Sequence, residues 1–117
     1  NIYLLGGNVR NDSLTTARDL PDPALDGWHI SKAFISAYSF TPADGLTDVS
    51  VNPQDQRISV IRRARQRIAL VDSSKWGKIS MRTVLPTREI HMVLTDKNAP
   101  AEMVQSLRDM GITIMFV

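Results

Sequence analysis

The chain contains no cysteine. Disulfides and thiolate metal sites are thereby excluded, and a reducing, cytoplasmic compartment is the expected setting. No apolar run reaches the ~18 residues that a membrane-spanning helix needs, so no membrane partner is expected. The opening Asn1-Ile2-Tyr3-Leu4-Leu5-Gly6-Gly7 lacks the basic start and long apolar stretch of a signal peptide. Histidine is scarce: His29 and His91 have no ligating partner three or four residues on, and no metal is expected. The sequence shows no Ser-His-Asp arrangement, phosphate loop or dinucleotide fingerprint, so no cofactor is expected. Internal repeats and low-complexity tracts are also missing.

What remains is an ordinary globular composition, 43% hydrophobic and 22% charged, over 117 residues. That length suits one domain over residues 1–117 and leaves no room for two independent cores. The net charge of +2 is mild, but its distribution is uneven. Arg57, Arg62, Arg63, Arg65 and Arg67 crowd one stretch, and Asp19, Asp22 and Asp26 another. The arginines could track nucleic-acid phosphates. A solvated helix face or a subunit contact is the simpler reading, because few base-reading partners lie among them.

Short apolar runs at Ile2–Leu5, Ala33–Tyr38, Ile68–Val71, Ile90–Leu94 and Ile112–Val117 read as buried strands. Asn52-Pro53 reads as a helix start, followed by Ile58, Ile61 and Ala64 on one narrow face. Met103, Val104, Leu107 and Met110 mark a second helix, stopped by Gly111. Thr41-Pro42-Ala43-Asp44-Gly45 reads as a loop with Gly45 suited to positive φ. Ile79 to Leu85 fits either an extended or a helical conformation. Apolar strands alternating with amphipathic helices predict an α/β fold, a mostly parallel sheet with helices on both faces. Ligands of such sheets bind beyond the carboxyl ends of the strands. That rule places Gly6-Gly7, Ala37-Tyr38 and Asp72 to Lys75 at one rim.

Asp72-Ser73-Ser74-Lys75 directly follows a buried strand. Two hydroxyls, exposed backbone N–H groups and the Lys75 ammonium suit an anion such as phosphate, and Asp72 can accept a sugar hydroxyl or orient Lys75. A polar turn leaving a strand is the plain alternative. Trp76 adjoins this segment and could stack on a ligand, although burial is the commoner role for tryptophan.

Taken together with its neighbours, Val71-Asp72-Ser73-Ser74-Lys75-Trp76-Gly77-Lys78 resembles the "aDssKfG" segment of the DeoR family of bacterial transcription regulators. The resemblance continues in order along nearly the whole chain. Leu4 to Arg10 is similar to the family's "GG" turn, and Lys32-Ala33-Phe34-Ile35 to its "DkaFig" strand. Asp44-Gly45-Leu46-Thr47 resembles its "xGlt" loop, and Arg57 to Ala64 stands where it has a basic helix. Val93-Leu94-Thr95-Asp96 resembles "vITD", and Leu107 to Val117 the closing segment.

The resemblance implies a repressor of carbohydrate operons with an N-terminal winged helix-turn-helix and a C-terminal effector domain. It implies a three-layer, ribose-5-phosphate-isomerase-like effector domain, of which this chain would be most, with the DNA-binding domain and the first part of the effector domain elsewhere. The implied partners are a phosphorylated sugar, DNA through the separate domain, and further copies in a homo-oligomer. The implied ligand-binding residues are Asp72, Ser73, Ser74 and Lys75, with Gly6, Gly7 and Lys32. Departures from the pattern are Ser31 for Asp, Ser36 for Gly and Arg57 for Lys, and they bear on ligand identity more than on fold. A sugar-phosphate isomerase would instead need a carboxylate base, for which Asp44, Asp48 and Asp72 are available. With an acid replaced by Ser31, catalysis is not expected. A ligand-free oligomerisation module is the other alternative.

Overall fold

A computed structural model of the chain describes residues 1–4, 7–11, 15–17, 25–49 and 56–117. Its centre is a four-stranded parallel sheet in the order β3 (Lys32–Ile35), β6 (Gln66–Leu70), β8 (Met92–Thr95), β9 (Thr113–Phe116). The register pairs Ile35 with Ala69, Ala69 with Val93, and Val93 with Ile114. These residues therefore share one face. Ala33, Ile35, Ala69 and Val93 are buried there in a single apolar cluster with Ile61 and Ala64, at the end of helix α1 (Gln56–Arg63), and with Val104 and Leu107 of helix α2 (Ala101–Asp109).

Successive parallel strands step in one direction across the sheet, and right-handed crossovers then bring their connections to the same side. Among the described residues both helices accordingly cover one face, and the expected helical layer on the other face is not among them. Alternation sends Phe34, Leu70 and Met115 to the opposite face, where they are 58%, 39% and 47% exposed.

A second, antiparallel sheet was not expected. It comprises β4 (Ser39–Thr41), β5 (Gly45–Asp48) and β7 (Arg82–Leu85), and contributes Phe40, Leu46, Val84 and Leu85 to the same core. The predicted loop at Thr41–Gly45 is the tight turn of its hairpin. Thr41 Oγ1 donates to Asp44 Oδ2 at 2.7 Å and accepts from the Asp44 N–H at 3.0 Å. Gly45 has φ +79°. Ser39, Thr47 and Ser80 join their hydroxyls behind the hairpin at 2.8 and 2.6 Å, so the buried polar groups are matched. Of the undecided segment Ile79 to Leu85, Arg82–Leu85 is extended and forms β7.

Other expectations shift in detail. The Ala33–Tyr38 run is broken: β3 stops at Ile35, and the chain enters the second sheet at Ser39. Ile2, Tyr3 and Leu4 are exposed and outside any strand, and Leu5 lies beyond the described residues. An apolar run becomes a strand only when a ladder partner satisfies its backbone. The nearby ladder instead joins β1 (Asn8–Arg10) to β2 (Thr15–Ala17). Met110, one of the expected apolar stripe of α2, is half-exposed at the helix end. The Asn52-Pro53 helix start and the acidic Asp19 and Asp22 lie outside the described residues. No described helix is long and apolar enough to cross a membrane.

Candidate functional site

The carboxyl edge of the parallel sheet is where β3, β6 and β8 deliver Ser36, Asp72 and Asp96 in turn. After β6, Val71 is buried and its N–H still donates to the Leu94 carbonyl at 3.0 Å. Beyond it Asp72 caps one turn of 3-10 helix, Ser73–Lys75. Asp72 Oδ1 accepts from the Ser74 N–H at 3.0 Å and from the Ser74 hydroxyl. The turn is pinned from β8 as well: Asp96 Oδ2 accepts from the Ser73 N–H at 2.6 Å, while its Oδ1 accepts from the Asn98 N–H at 2.8 Å. Trp76 ends the turn. Its ring is buried edge-on to Phe40, with centroids 5.0 Å apart, and its Nε1 donates to Thr95 Oγ1 at 3.1 Å. This indole anchors the turn from below and has no exposed face for stacking.

Lys75 is the cation of the edge. Its ammonium donates to Ser36 Oγ at 2.6 Å and lies 3.8 Å from Asp72 Oδ2, with about a quarter of the side chain exposed. Lys78 lies one turn on and donates to the Ser74 carbonyl at 2.7 Å. The expected phosphate cradle is thereby partly reassigned. The Ser73, Ser74 and Lys75 N–H groups already serve Asp96, Asp72 Oδ1 and the Asp72 carbonyl. The lysine ammonium remains for an incoming anion, the Ser74 and Ser36 hydroxyl protons being given to Asp72 Oδ1 and the Leu70 carbonyl, and the two carboxylates can accept from further hydroxyl donors.

Of the residues singled out from sequence, the structure unites Asp72, Ser73, Ser74 and Lys75. Lys32 begins β3, at the amino edge and about 13 Å of extended chain from Ser36. It is not brought to this site. Gly7 lies exposed just before β1, and Gly6 falls outside the described residues. Asp96 was missed as a participant, and Ser36 was noted only as a departure from the family pattern. Asp96 had a signal: like Asp72, it is an acid directly following a buried strand.

Three of the arginines, Arg62, Arg63 and Arg67, are engaged in contacts within the fold. Arg62 makes a two-pronged pair with Glu89 at 3.0 and 3.3 Å. Arg63 reaches the Leu25 carbonyl at 3.0 Å and Asp26 at 3.6 Å. Arg67 donates to the Glu89 and Ala64 carbonyls. The Arg57 side chain is outside the described residues. The His91 ring is satisfied, its Nδ1 accepting from the Arg67 N–H at 3.0 Å.

Both carboxyls of the edge are held below the usual aspartate value of 3.8. For Asp72 the first cause is the Ser74 hydroxyl, helped by the Ser74 N–H and the Lys75 charge; for Asp96 it is the Ser73 N–H, then that of Asn98. A folded-state value below the unfolded one adds stability above pH 3.8, and that stability is lost as pH falls through the lowered folded values. Urea midpoints should therefore drop between about pH 5 and pH 3, and drop less in Asp96→Asn. An identical drop in the variant would contradict this role.

A family model described as the DeoR C terminal sensor domain matches residues 1–97. The chain belongs to the DeoR C-terminal sensor domain family. Among curated proteins, this DeoR sensor segment is 26% identical to the HTH-type transcriptional regulator GolR of Listeria innocua, with 97% of the segment aligned to 45% of the relative. It is 24% identical to a putative aga operon transcriptional repressor of Escherichia coli O157:H7, with 99% aligned to 43% of that protein. It is 29% identical to a lactose phosphotransferase system repressor of Staphylococcus epidermidis, with 83% aligned to 38%. The DeoR segment thus spans less than half the length of these relatives.

Proposed function

We propose that this chain is the ligand-sensing part of a cytoplasmic DeoR-type repressor of carbohydrate metabolism, and that its carboxyl edge binds a phosphorylated sugar without turning it over. The observation that carries this reading is the position of Lys75, a cation held at the strand edge between the Ser36 hydroxyl and the Asp72 carboxylate. Lys75 would take the phosphate, joined by the Ser73 and Ser74 hydroxyls once Ser74 turns from Asp72, and Asp72 and Asp96 would take the sugar hydroxyls. The relatives' names join repression to the aga operon in one case and to a lactose phosphotransferase system in another. A second layer over the Phe34, Leu70 and Met115 face would complete a three-layer fold like that of ribose-5-phosphate isomerase. DNA would be met by a separate domain, and ligand would favour one of two arrangements of a homo-oligomer.

Sensing is favoured over catalysis by the acids themselves. A general base works best with a pKa near the operating pH, whereas Asp72 and Asp96 are pushed the other way.

A thermal-shift series with glucose 6-phosphate, ribose 5-phosphate and their unphosphorylated counterparts tests the reading. A sugar phosphate at ~100 times its dissociation constant should stabilise the fold by about 2.7 kcal/mol. The shift should require the phosphate and be strongly reduced in Lys75→Ala. Equal shifts with unphosphorylated sugars, or a full shift in the variant, would refute it.

A further inference from the structure

Ser36 stands where the β3–β6 ladder ends. The last paired residues are Ile35 and Ala69, so the next step of the ladder has no main-chain partner in register. The Ser36 hydroxyl extends it, donating to the Leu70 carbonyl at 2.9 Å. A hydroxyl has one proton, and this one is committed to Leu70. Towards Lys75 the oxygen can only accept, and it does so from the ammonium at 2.6 Å. The result is a directional chain: ammonium to hydroxyl to carbonyl, linking the turn after β6 back to both neighbouring strands.

This chain decides where the positive charge sits. Lysine is a flexible four-carbon stem with a point charge, and its ammonium goes where acceptors hold it. The competing acceptor is Asp72 Oδ2, on the same turn, at 3.8 Å and therefore beyond a good hydrogen bond. With Ser36 present, the ammonium lies over the seam between β3 and β6. Without it, the ammonium would close on Asp72 and its charge would be neutralised within its own turn.

We propose that Ser36 is a positioning residue that keeps the Lys75 ammonium away from Asp72 and available to an anionic ligand at the β3–β6 seam. It rests on the proposed phosphate role of Lys75, and extends it by a residue on another strand that sets the affinity of the site for anions. The hydroxyl is required, whereas its exact carrier is not, so threonine should substitute and alanine should not.

The test is a double-mutant cycle on this chain, read by calorimetric or NMR titration with inorganic phosphate and with glucose 6-phosphate. Ser36→Ala should weaken binding of whichever of these probes binds by about tenfold, the scale of a hydrogen bond to a charged group. Ser36→Thr should restore it. In a Lys75→Ala background, Ser36→Ala should change nothing further, because its effect passes through the ammonium. A merely structural role would instead weaken binding in both backgrounds. Unchanged binding in Ser36→Ala, with Lys75→Ala still impaired, would overturn the role of Ser36 and leave the phosphate site standing. Failure of both probes to bind, or undiminished binding in Lys75→Ala, would overturn both.

Discussion

Gly45→Ala should destabilise the chain by more than about 3 kcal/mol, among the larger effects a single methyl can have. Two causes combine. The backbone there has φ +79°, which costs a residue with a Cβ roughly 1–2 kcal/mol. The new methyl would also meet main-chain atoms: the Leu85 carbonyl oxygen, the Thr87 nitrogen at 2.6 Å and the Pro86 carbonyl carbon at 2.8 Å. No side-chain rotamer relieves a collision with backbone. The strands β5 and β7 would have to part, and the Thr87 hydroxyl would lose its 2.8 Å bond to the Pro42 carbonyl. Gly111→Ala is the control, since φ is +80° there too but nothing lies within 4 Å of the added carbon. It should cost only the conformational share, about 1–2 kcal/mol. Urea denaturation of both variants checks the pair, and equal losses would show that the close approach to β7 contributes nothing.

Phe40→Ala should cost about 3–5 kcal/mol, the range for truncating a fully buried aromatic side chain. Phe40 is wholly buried and lies in β4 of the antiparallel sheet. Its ring meets the Trp76 indole, and its carbonyl accepts from the Gly77 N–H at 2.9 Å. It is thus a point where the second sheet grips the turn that carries Lys75. The loss should appear in the denaturation midpoint and also as weaker protection of the Gly77 amide from hydrogen exchange. A stable variant with an unaltered Gly77 amide would contradict this coupling.

The parallel half of the fold was legible because each strand carries a continuous apolar signal bounded by turn chemistry. Ile68–Val71 before Asp72, and Ile90–Leu94 before Asp96, are of this kind. The α2 stripe and its Gly111 stop were legible for the same reason. The antiparallel sheet was not, since Ser39–Thr41 and Gly45–Asp48 each carry a single large apolar residue, Phe40 and Leu46, and so show no apolar run. Their burial comes from packing between sheets, which local sequence does not encode. At the site, Asp72 to Lys75 could be read as one contiguous segment. Ser36 and Asp96 reach it only through the register of three strands, lying 39 and 23 residues from their partners in the chain. Lys32 illustrates the converse: it shares β3 with the approach to Ser36, but strand direction sets it at the far edge.

The buried indole beside Lys75 also makes the molecule its own optical instrument. The sequence holds two tryptophans, Trp76 enclosed between Phe40 and Thr95, and Trp28 about half-exposed against Tyr3. Replacing Trp28 by phenylalanine leaves a single indole one residue from the candidate phosphate anchor, shielded from water and hydrogen-bonded to Thr95. Its emission would follow events at the sheet edge without any added dye, so occupancy of the site becomes something that can be watched in real time.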